Sequence, residues 1–429
     1  MDLLKPNPQQ LAWADCEVGV IIHFDLQVFE SGGDLTGPRG GAPSPAVFNP
    51  PLLDTDQWVE SAVAAGARYA VLVAKHGSGF SLWPTQAHSC SVAASPWRQG
   101  RGDIVGDFIR SCAKYGVRPG LYYNTNFNAF LNVEYPGRVR SGDAAAQAAY
   151  NAVVEQQLTE LWSRYGDLFE IWFDGGTLPP EQGGPRIIPI LARFQPDAVV
   201  FQGPPSARNL LRWVGNERGE APDPCWATTD LLTAEDGTAE KVGMGGSPAG
   251  SRWAPGESDL PNRDQKRAFQ GGWFWRAGED DLLYSCDHLV ERYYGSVGRN
   301  TNMLIGMVID NRGLVPEADR RRFAEFGRAV AGRFARPLAR AAAPELDFGT
   351  EQELNQAVVM EDIAHGERIL GYDLRGVRAS GEEFSIATGS CIGHKRILRF
   401  PAVRAARLRL EVTAAKAPPL IRELAAYRI

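Results

Sequence analysis

Over its first three-quarters the chain alternates short apolar runs with helical patterns, and that alternation leaves few architectures open. A strand, a helix and a further strand form the unit of a parallel sheet. Val18 to Phe24 reads as a buried strand. Asp54 or Thr55 can cap a helix that places Trp58, Val59, Ala62 and Val63 on one face and stops at Gly66. A strand from Ala67 to Ala74 follows and ends at Lys75-His76. Asp103 can cap the next helix, with Ile104, Val105, Phe108, Ile109 and Cys112 on one face and Gly116 as its stop. Val117 to Tyr123 then reads as a third strand.

The pattern continues with a long Ala-rich helix from Asp143 to Tyr165 and a buried strand from Leu168 to Phe173. Ala198 to Gln202 and Arg212 to Asn216 are weaker strands. A helix from Cys286 to Val297 precedes a strand from Asn302 to Val308, and Pro316 opens a last helix. The Gly/Pro-rich stretches Gly32 to Pro45 and Gly243 to Pro261 read as long loops. The fold class is α/β: a TIM-like (β/α) barrel over residues 1–336, followed by a small all-β sandwich over 337–429. In that second part Arg407-Leu408-Arg409-Leu410-Glu411-Val412 has the period of two of a half-solvated strand. A doubly wound open sheet is the rival, but no Gly-x-Gly-x-x-Gly turn follows the first strand.

Composition narrows the function classes. The 429 residues are 44% hydrophobic and 22% charged, with a net charge of −6. Lys and Arg are scattered, so neither nucleic acid nor an anionic membrane is an expected partner. A weakly polar substrate fits better. The six cysteines show neither a CxxC pair nor zinc spacing, and read as free core thiols. No run is long enough for a membrane span. The start lacks the apolar stretch of a secretory leader, so the expectation is a cytoplasmic protein, or a secreted or periplasmic one whose leader was removed. Oligomeric state leaves no trace in the sequence.

Barrel active sites sit at the C-terminal ends of the strands. His23 closes the first strand, Lys75-His76 the second, Asn124 follows the third and Asp174 ends the fourth. A single histidine is more often structural, and Asp-Gly is a common turn pair. Four such residues on successive strands favour a site. Trp172, two positions before Asp174, points to the same side. Trp83, Tyr122, Trp213, Trp226, Trp253, Trp273, Phe274 and Trp275 fall near other strand ends or loops; most are core, and a few can offer planes to sugar C–H faces.

Taken in order, several segments resemble one family. They are Phe48-Asn49-Pro50, Asp56-Gln57-Trp58, Ala65 to Ala70, Lys75-His76, Gly79 to Pro84, Gly102 to Val105, Gly116 to Tyr122, Trp172 to Gly175, Arg212 to Glu217 and Ser296 to Asn300. Together, over roughly residues 10 to 335, the chain resembles the α-L-fucosidases of glycoside hydrolase family 29. Trp213-Val214-Gly215-Asn216-Glu217 is similar to the branch acting on α-1,3/1,4-linked fucose.

The resemblance implies a retaining exo-glycosidase acting on an oligosaccharide or glycoconjugate, with Asp174 as nucleophile and Glu217 as general acid/base. Glu220 and Glu257 are rivals for the acid, and Glu257 is expected to line the pocket. His23, His76, Trp172, Tyr122, Trp213 and Trp275 would bind the sugar. Neither a metal nor an organic cofactor is implied.

Three departures fall near the expected pocket. Gly77-Ser78 stands where the family has His-Asp, Glu30-Ser31-Gly32 where it has an acid-Trp-Gly triplet, and Ile305-Gly306 where it has Leu-Asn. Room at Gly77 suits a relative retooled for a galacto- or gluco-configured α-L-glycoside. A non-catalytic carbohydrate-binding protein and a metal-dependent barrel hydrolase are the rivals from other classes. The C-terminal module reads as a brace for the barrel, since it contains no Trp.

Overall fold

The computed structural model describes residues 3–30, 43–230 and 244–429. Eight parallel strands close into a barrel in chain order: β1 Val18–His23, β2 Tyr69–Lys75, β3 Arg118–Tyr123, β4 Glu170–Phe173, β5 Val199–Phe201, β6 Leu210–Trp213, β7 Gly256–Leu260 and β8 Thr301–Val308. β1 pairs with β8 from Val18↔Met303 to His23↔Val308, which completes the circle.

The capping signals act as read. Asp54 accepts from the amides of Asp56 and Gln57 to open helix α2 Thr55–Ala64, which follows α1 Pro8–Ala14. Asp103 accepts from Gly106 to open α3 Ile104–Tyr115, and Gly116, at φ 68°, ends it in the left-handed conformation glycine tolerates. Beyond these come α4 Ala144–Arg164, α5 Ile187–Phe194, α6 Cys286–Gly295 and α7 Glu317–Phe334. No helix joins β5 to β6, and none separates β6 from β7 among the described residues.

One expectation fails. Gly256–Leu260, read as part of a loop, is strand β7, buried along its whole length. Gly-Glu-Ser-Asp-Leu has a single large apolar residue, so hydrophobic periodicity had nothing to detect. Its polar side chains are satisfied instead of being apolar: Glu257 by Tyr69 and Trp172, Ser258 by Thr301, Asp259 by Trp213. The weak strand expected at Arg212 to Asn216 begins two residues earlier and ends at Trp213, leaving Glu217 in the loop beyond it.

Strand alternation sorts the core into two layers. Ile21, Tyr69, Val71, Val73, Tyr122, Trp172, Phe201 and Leu304 fill the barrel, with Trp13 of α1 among them. Val20, Ile22, Ala70, Leu72, Ile171 and Phe173 face the surrounding helices. On β4 the inward series therefore climbs from Glu170 through Trp172 to Asp174, one pleat at a time.

Residues 339–427 form a six-stranded antiparallel sheet: β9 Ala339–Ala341, β10 Glu345–Glu361, β11 Ile369–Val377, β12 Glu383–Gly389, β13 Arg396–Ala415 and β14 Ile421–Tyr427, in the order β9-β14-β10-β13-β11-β12. Register shifts interrupt the pairing of the two long strands, β10 and β13. Ala357, Val359, Leu398, Leu424 and Ala426 belong to the module's own core. The alternate positions Val358, Met360, Ile397, Ala425 and Tyr427 join the barrel's outer core.

Polar ties concentrate near the N-terminal ends of β1 and β8. His394 meets Asp15 at 2.9 Å, Lys395 pairs with Glu17, and Asn300 donates to Glu367 at 2.6 Å. With one sheet face shared with the barrel, a chain truncated after Arg336 is expected to be insoluble. Recovery of a soluble, cooperatively melting barrel would contradict that expectation.

Candidate active site

The C-terminal ends of the strands surround a cavity of about 520 Å³ including its mouth, lined by Ile21, His23, His76, Tyr122, Trp172, Asp174, Glu217, Asp259, Gln270, Trp273 and Phe274. Of the nine site residues expected from sequence, six come together here: His23, His76, Tyr122, Trp172, Asp174 and Glu217. Three do not.

Glu257 lies a layer lower on β7, fully buried, accepting from Tyr69 Oη at 2.6 Å and Trp172 Nε1 at 2.9 Å. Trp213 acts at one remove, its Nε1 donating to Asp259 Oδ1 at 2.7 Å. Trp275 is partly buried against the outer core. Glu220, the other rival acid, also lies off the pocket, paired with Arg292 at 2.9 Å and Arg299 at 3.6 Å.

Asp174 is half-buried and held at one oxygen. Tyr122 Oη donates to its Oδ2 at 2.8 Å and Asn124 Nδ2 to the same atom at 3.1 Å. Below it, the wholly buried Lys75 ammonium donates to the carbonyls of Asn124 at 2.5 Å and Phe127 at 2.8 Å, which fixes the turn carrying Asn124. Gln202, at φ 47°, accepts from the Gly175 amide at 3.0 Å. Burial raises the Asp174 carboxyl above its ordinary value against the Tyr122 hydrogen bond, and the charge of Glu217 adds to the rise.

Glu217 is likewise gripped at one oxygen. Gln265 Nε2 donates to its Oε2 at 2.6 Å and Trp273 Nε1 at 3.1 Å. Both donors come from the segment after β7, whose start is tied down by the fully buried Arg263–Asp319 pair at 2.8 and 3.0 Å.

Aromatic planes line the wall. His76 stacks on Tyr122 with centroids 5.7 Å apart, Tyr122 on Trp172 at 5.1 Å, and Trp172 on Phe201 at 4.2 Å. Phe274 meets both histidines edge-on at 5.0 and 5.2 Å. Burial drives the imidazoles of His23 and His76 far down, His76 to about 3, so both are neutral at physiological pH. The site thus offers neutral hydrogen-bonding rings, aromatic faces and carboxylates, the surface a neutral sugar requires.

Asp259, Gln270 and Gln265 were not foreseen. Asp259 obeys the strand-end rule that found Asp174, but only once β7 is recognised. Gln265 leaves no mark in sequence, because its role depends on where a loop returns.

Two departures from the family pattern have physical readings. Ser78 Oγ donates to the buried Asp25 at 2.7 Å, and burial pushes that carboxyl up to about 6. At Gly306 an added Cβ would stand 2.8 Å from the Trp273 ring and 3.1 Å from Pro261 Cα. Trp273 therefore occupies the space an asparagine would need. Gly306→Asn is expected to cost roughly 1–3 kcal/mol of stability by overpacking and, by displacing Trp273 from Glu217, to lower kcat more than it raises KM; thermal melts and steady-state kinetics check both. The third departure, at Ser31-Gly32, lies outside the described residues, as does the loop expected from Gly32 up to residue 42.

The buried pair beneath the pocket makes a separate prediction. Burial and mutual repulsion raise the carboxyl of Glu170 well above its ordinary value, and burial pushes Glu257 up to about 7. The folded pair keeps protons that the unfolded chain releases near the ordinary value of 4.5. The unfolded state then binds fewer protons, so stability falls as pH rises from about 4.5 to about 7. Glu257→Gln, which keeps an acceptor for Trp172, is expected to flatten that slope. Melting temperatures of both proteins across this range would show it, and parallel curves would refute it.

A closed barrel whose strand ends gather two half-buried carboxylates, neutral histidines and a stacked aromatic wall defines a carbohydrate-processing enzyme, a glycoside hydrolase. Residues 42–331 match the family model described as Alpha-L-fucosidase, and the chain belongs to that family. Alpha-L-fucosidase 1 of Arabidopsis thaliana is 30% identical, covering 99% of this chain and 89% of the relative. The putative alpha-L-fucosidase 1 of Oryza sativa subsp. japonica is 29% identical over 97% and 83%. Among solved structures, a putative alpha-L-fucosidase from Bacteroides thetaiotaomicron superposes over the whole of both chains with a TM-score of 0.93 and 35% identity. The family implies a fucose-containing glycan as substrate.

Proposed function

We propose that this protein removes terminal α-L-fucosyl residues, α-1,3/1,4-linked, with retention of configuration, using Asp174 as nucleophile and Glu217 as acid/base. The observation that carries the reading is the matched grip on the two carboxyls across one small cavity. Donors on Asp174 Oδ2 leave Oδ1, unpartnered among the described residues, as the oxygen to attack the anomeric carbon. Donors on Glu217 Oε2 leave Oε1 to carry the proton.

In the first step Oδ1 of Asp174 bonds to C1 as the glycosidic C–O bond breaks, and the proton on Glu217 passes to the leaving oxygen. In the second, Glu217 takes a proton from water, whose oxygen bonds to C1 and releases Asp174. His23, His76 and Tyr122 surround the ring with hydrogen-bonding groups, and Trp172 offers a face. A cavity toward the small end of ligand pockets suits a single sugar ring, hence exo action.

The Gly77-Ser78 departure motivates one second reading, an α-L-glycosidase for a galacto- or gluco-configured sugar. Aryl α-L-fucoside, galactoside, glucoside and rhamnoside, together with fucosylated trisaccharides, separate the two. Preferred release of fucose supports the first; turnover of only another sugar replaces the substrate while keeping the fold.

A further inference from the structure

The pocket contains a third carboxyl that the double displacement does not use. Asp259 sits at the C-terminal end of β7, two residues above Glu257 on the same inward face, and is 4% exposed. It lines the cavity together with Asp174 and Glu217. Its Oδ1 accepts from Trp213 Nε1 at 2.7 Å, and among the described residues no other side chain donates to it. The indole fixes which oxygen is engaged by protein and leaves Oδ2 for a ligand.

We propose that Asp259 contacts the bound sugar directly, holding one ring hydroxyl through Oδ2, and so helps to set which sugar the pocket accepts. The proposal rests on the glycosidase reading above for the reaction, and on the fucosidase reading only for the sugar's identity. Three carboxyls share one small buried space, and repulsion is relieved when only the nucleophile Asp174 is ionised while Glu217 and Asp259 hold protons. Asp259 is the least exposed of the three. Burial, first of all, pushes its carboxyl well above the ordinary range. A neutral carboxyl both donates and accepts, which matches a sugar hydroxyl, and an unanswered polar group at this depth is costly. Trp213, which is not among the residues lining the cavity, thus becomes a positioning residue that orients Asp259.

The test compares an aryl α-L-fucoside with its 2-, 3- and 4-deoxy analogues on wild type and Asp259→Ala. Wild type is expected to lose about tenfold or more in kcat/KM on one analogue. Asp259→Ala is expected to be poor on the parent fucoside yet no worse on that same analogue, because the partner of the missing hydroxyl is already gone. Equal loss on all four substrates, with the wild-type preference kept, overturns the proposal.

Should the alanine variant not fold, Asp259→Ser reads the same ratio. Its hydroxyl can still answer the Trp213 indole but is too short to hold the sugar, so discrimination against that analogue is expected to be lost; a kept ratio again overturns the proposal. Wild type acting only on another α-L-glycoside would defeat the fucosidase reading separately, and the same series in that configuration would then test Asp259.

Discussion

Asp174→Ala is expected to lower kcat on an aryl α-L-fucoside by roughly 10⁴-fold or more, the scale on which loss of a nucleophile shows in enzymes with covalent intermediates. The fold should survive. The side chain is half-buried, and Tyr122 and Asn124, which hydrogen-bond to each other at 3.2 Å, keep a partner when the carboxylate goes. The truncation also empties a space beside C1 on the face from which Oδ1 would attack. A small anion such as azide can enter it, displace the leaving group directly and give a β-fucosyl azide, with configuration inverted. Recovery of rate with that product assigns the nucleophile. An Asp174→Ala protein retaining a tenth of wild-type activity would remove Asp174 from the role.

Glu217→Ala should behave in the opposite way. General acid catalysis contributes roughly 10²–10⁴-fold, and the contribution grows with the basicity of the leaving group. The variant is expected to be slowest on trisaccharides, whose leaving alcohols need a proton, and least impaired on a dinitrophenyl fucoside, whose phenolate does not. On the activated substrate the covalent intermediate still forms, and its hydrolysis becomes slow for want of a base. Azide needs no base, so it should accelerate turnover and give the α-fucosyl azide, with configuration retained. The pair of azide products, β from one variant and α from the other, separates the two carboxyls by the face of the sugar each serves. Equal impairment across all leaving groups would point away from proton transfer by Glu217.

The strands that surround the site differed in how plainly their sequences declared them. β1, β2, β3, β4 and β8 are apolar over most of their length, because one face fills the barrel and the other packs on helices, and each was legible. Their terminal residues His23, His76, Tyr122 and Asp174 could therefore be placed around a pocket before any coordinates. β7 escaped because its inward positions are Glu257 and Asp259, buried carboxyls whose partners lie on β2, β4 and β6. Its polarity looks like a loop until those partners are known.

The same blindness put Glu257 in the pocket. With Glu170 and Tyr69 at its level, it belongs to the layer beneath, where it steadies Trp172 from below. Resemblance supplied what periodicity could not, namely Glu217, which lies in a loop four residues past the end of β6. Gln265, which holds that carboxyl, was beyond both, and Trp273 was visible only as one aromatic among several, since a loop's return path is set by tertiary packing such as the Arg263–Asp319 pair.

The central claim is a retaining displacement on an α-L-fucoside, and the anomer formed first reports it most directly. Proton NMR of an aryl α-L-fucoside incubated with enough enzyme to finish within minutes resolves the anomeric signals of free fucose before mutarotation mixes them. The account predicts that α-L-fucose appears first and the β anomer only later, by mutarotation. If β-L-fucose came first, a single displacement by water would be at work, and Asp174 could not be the nucleophile assigned to it.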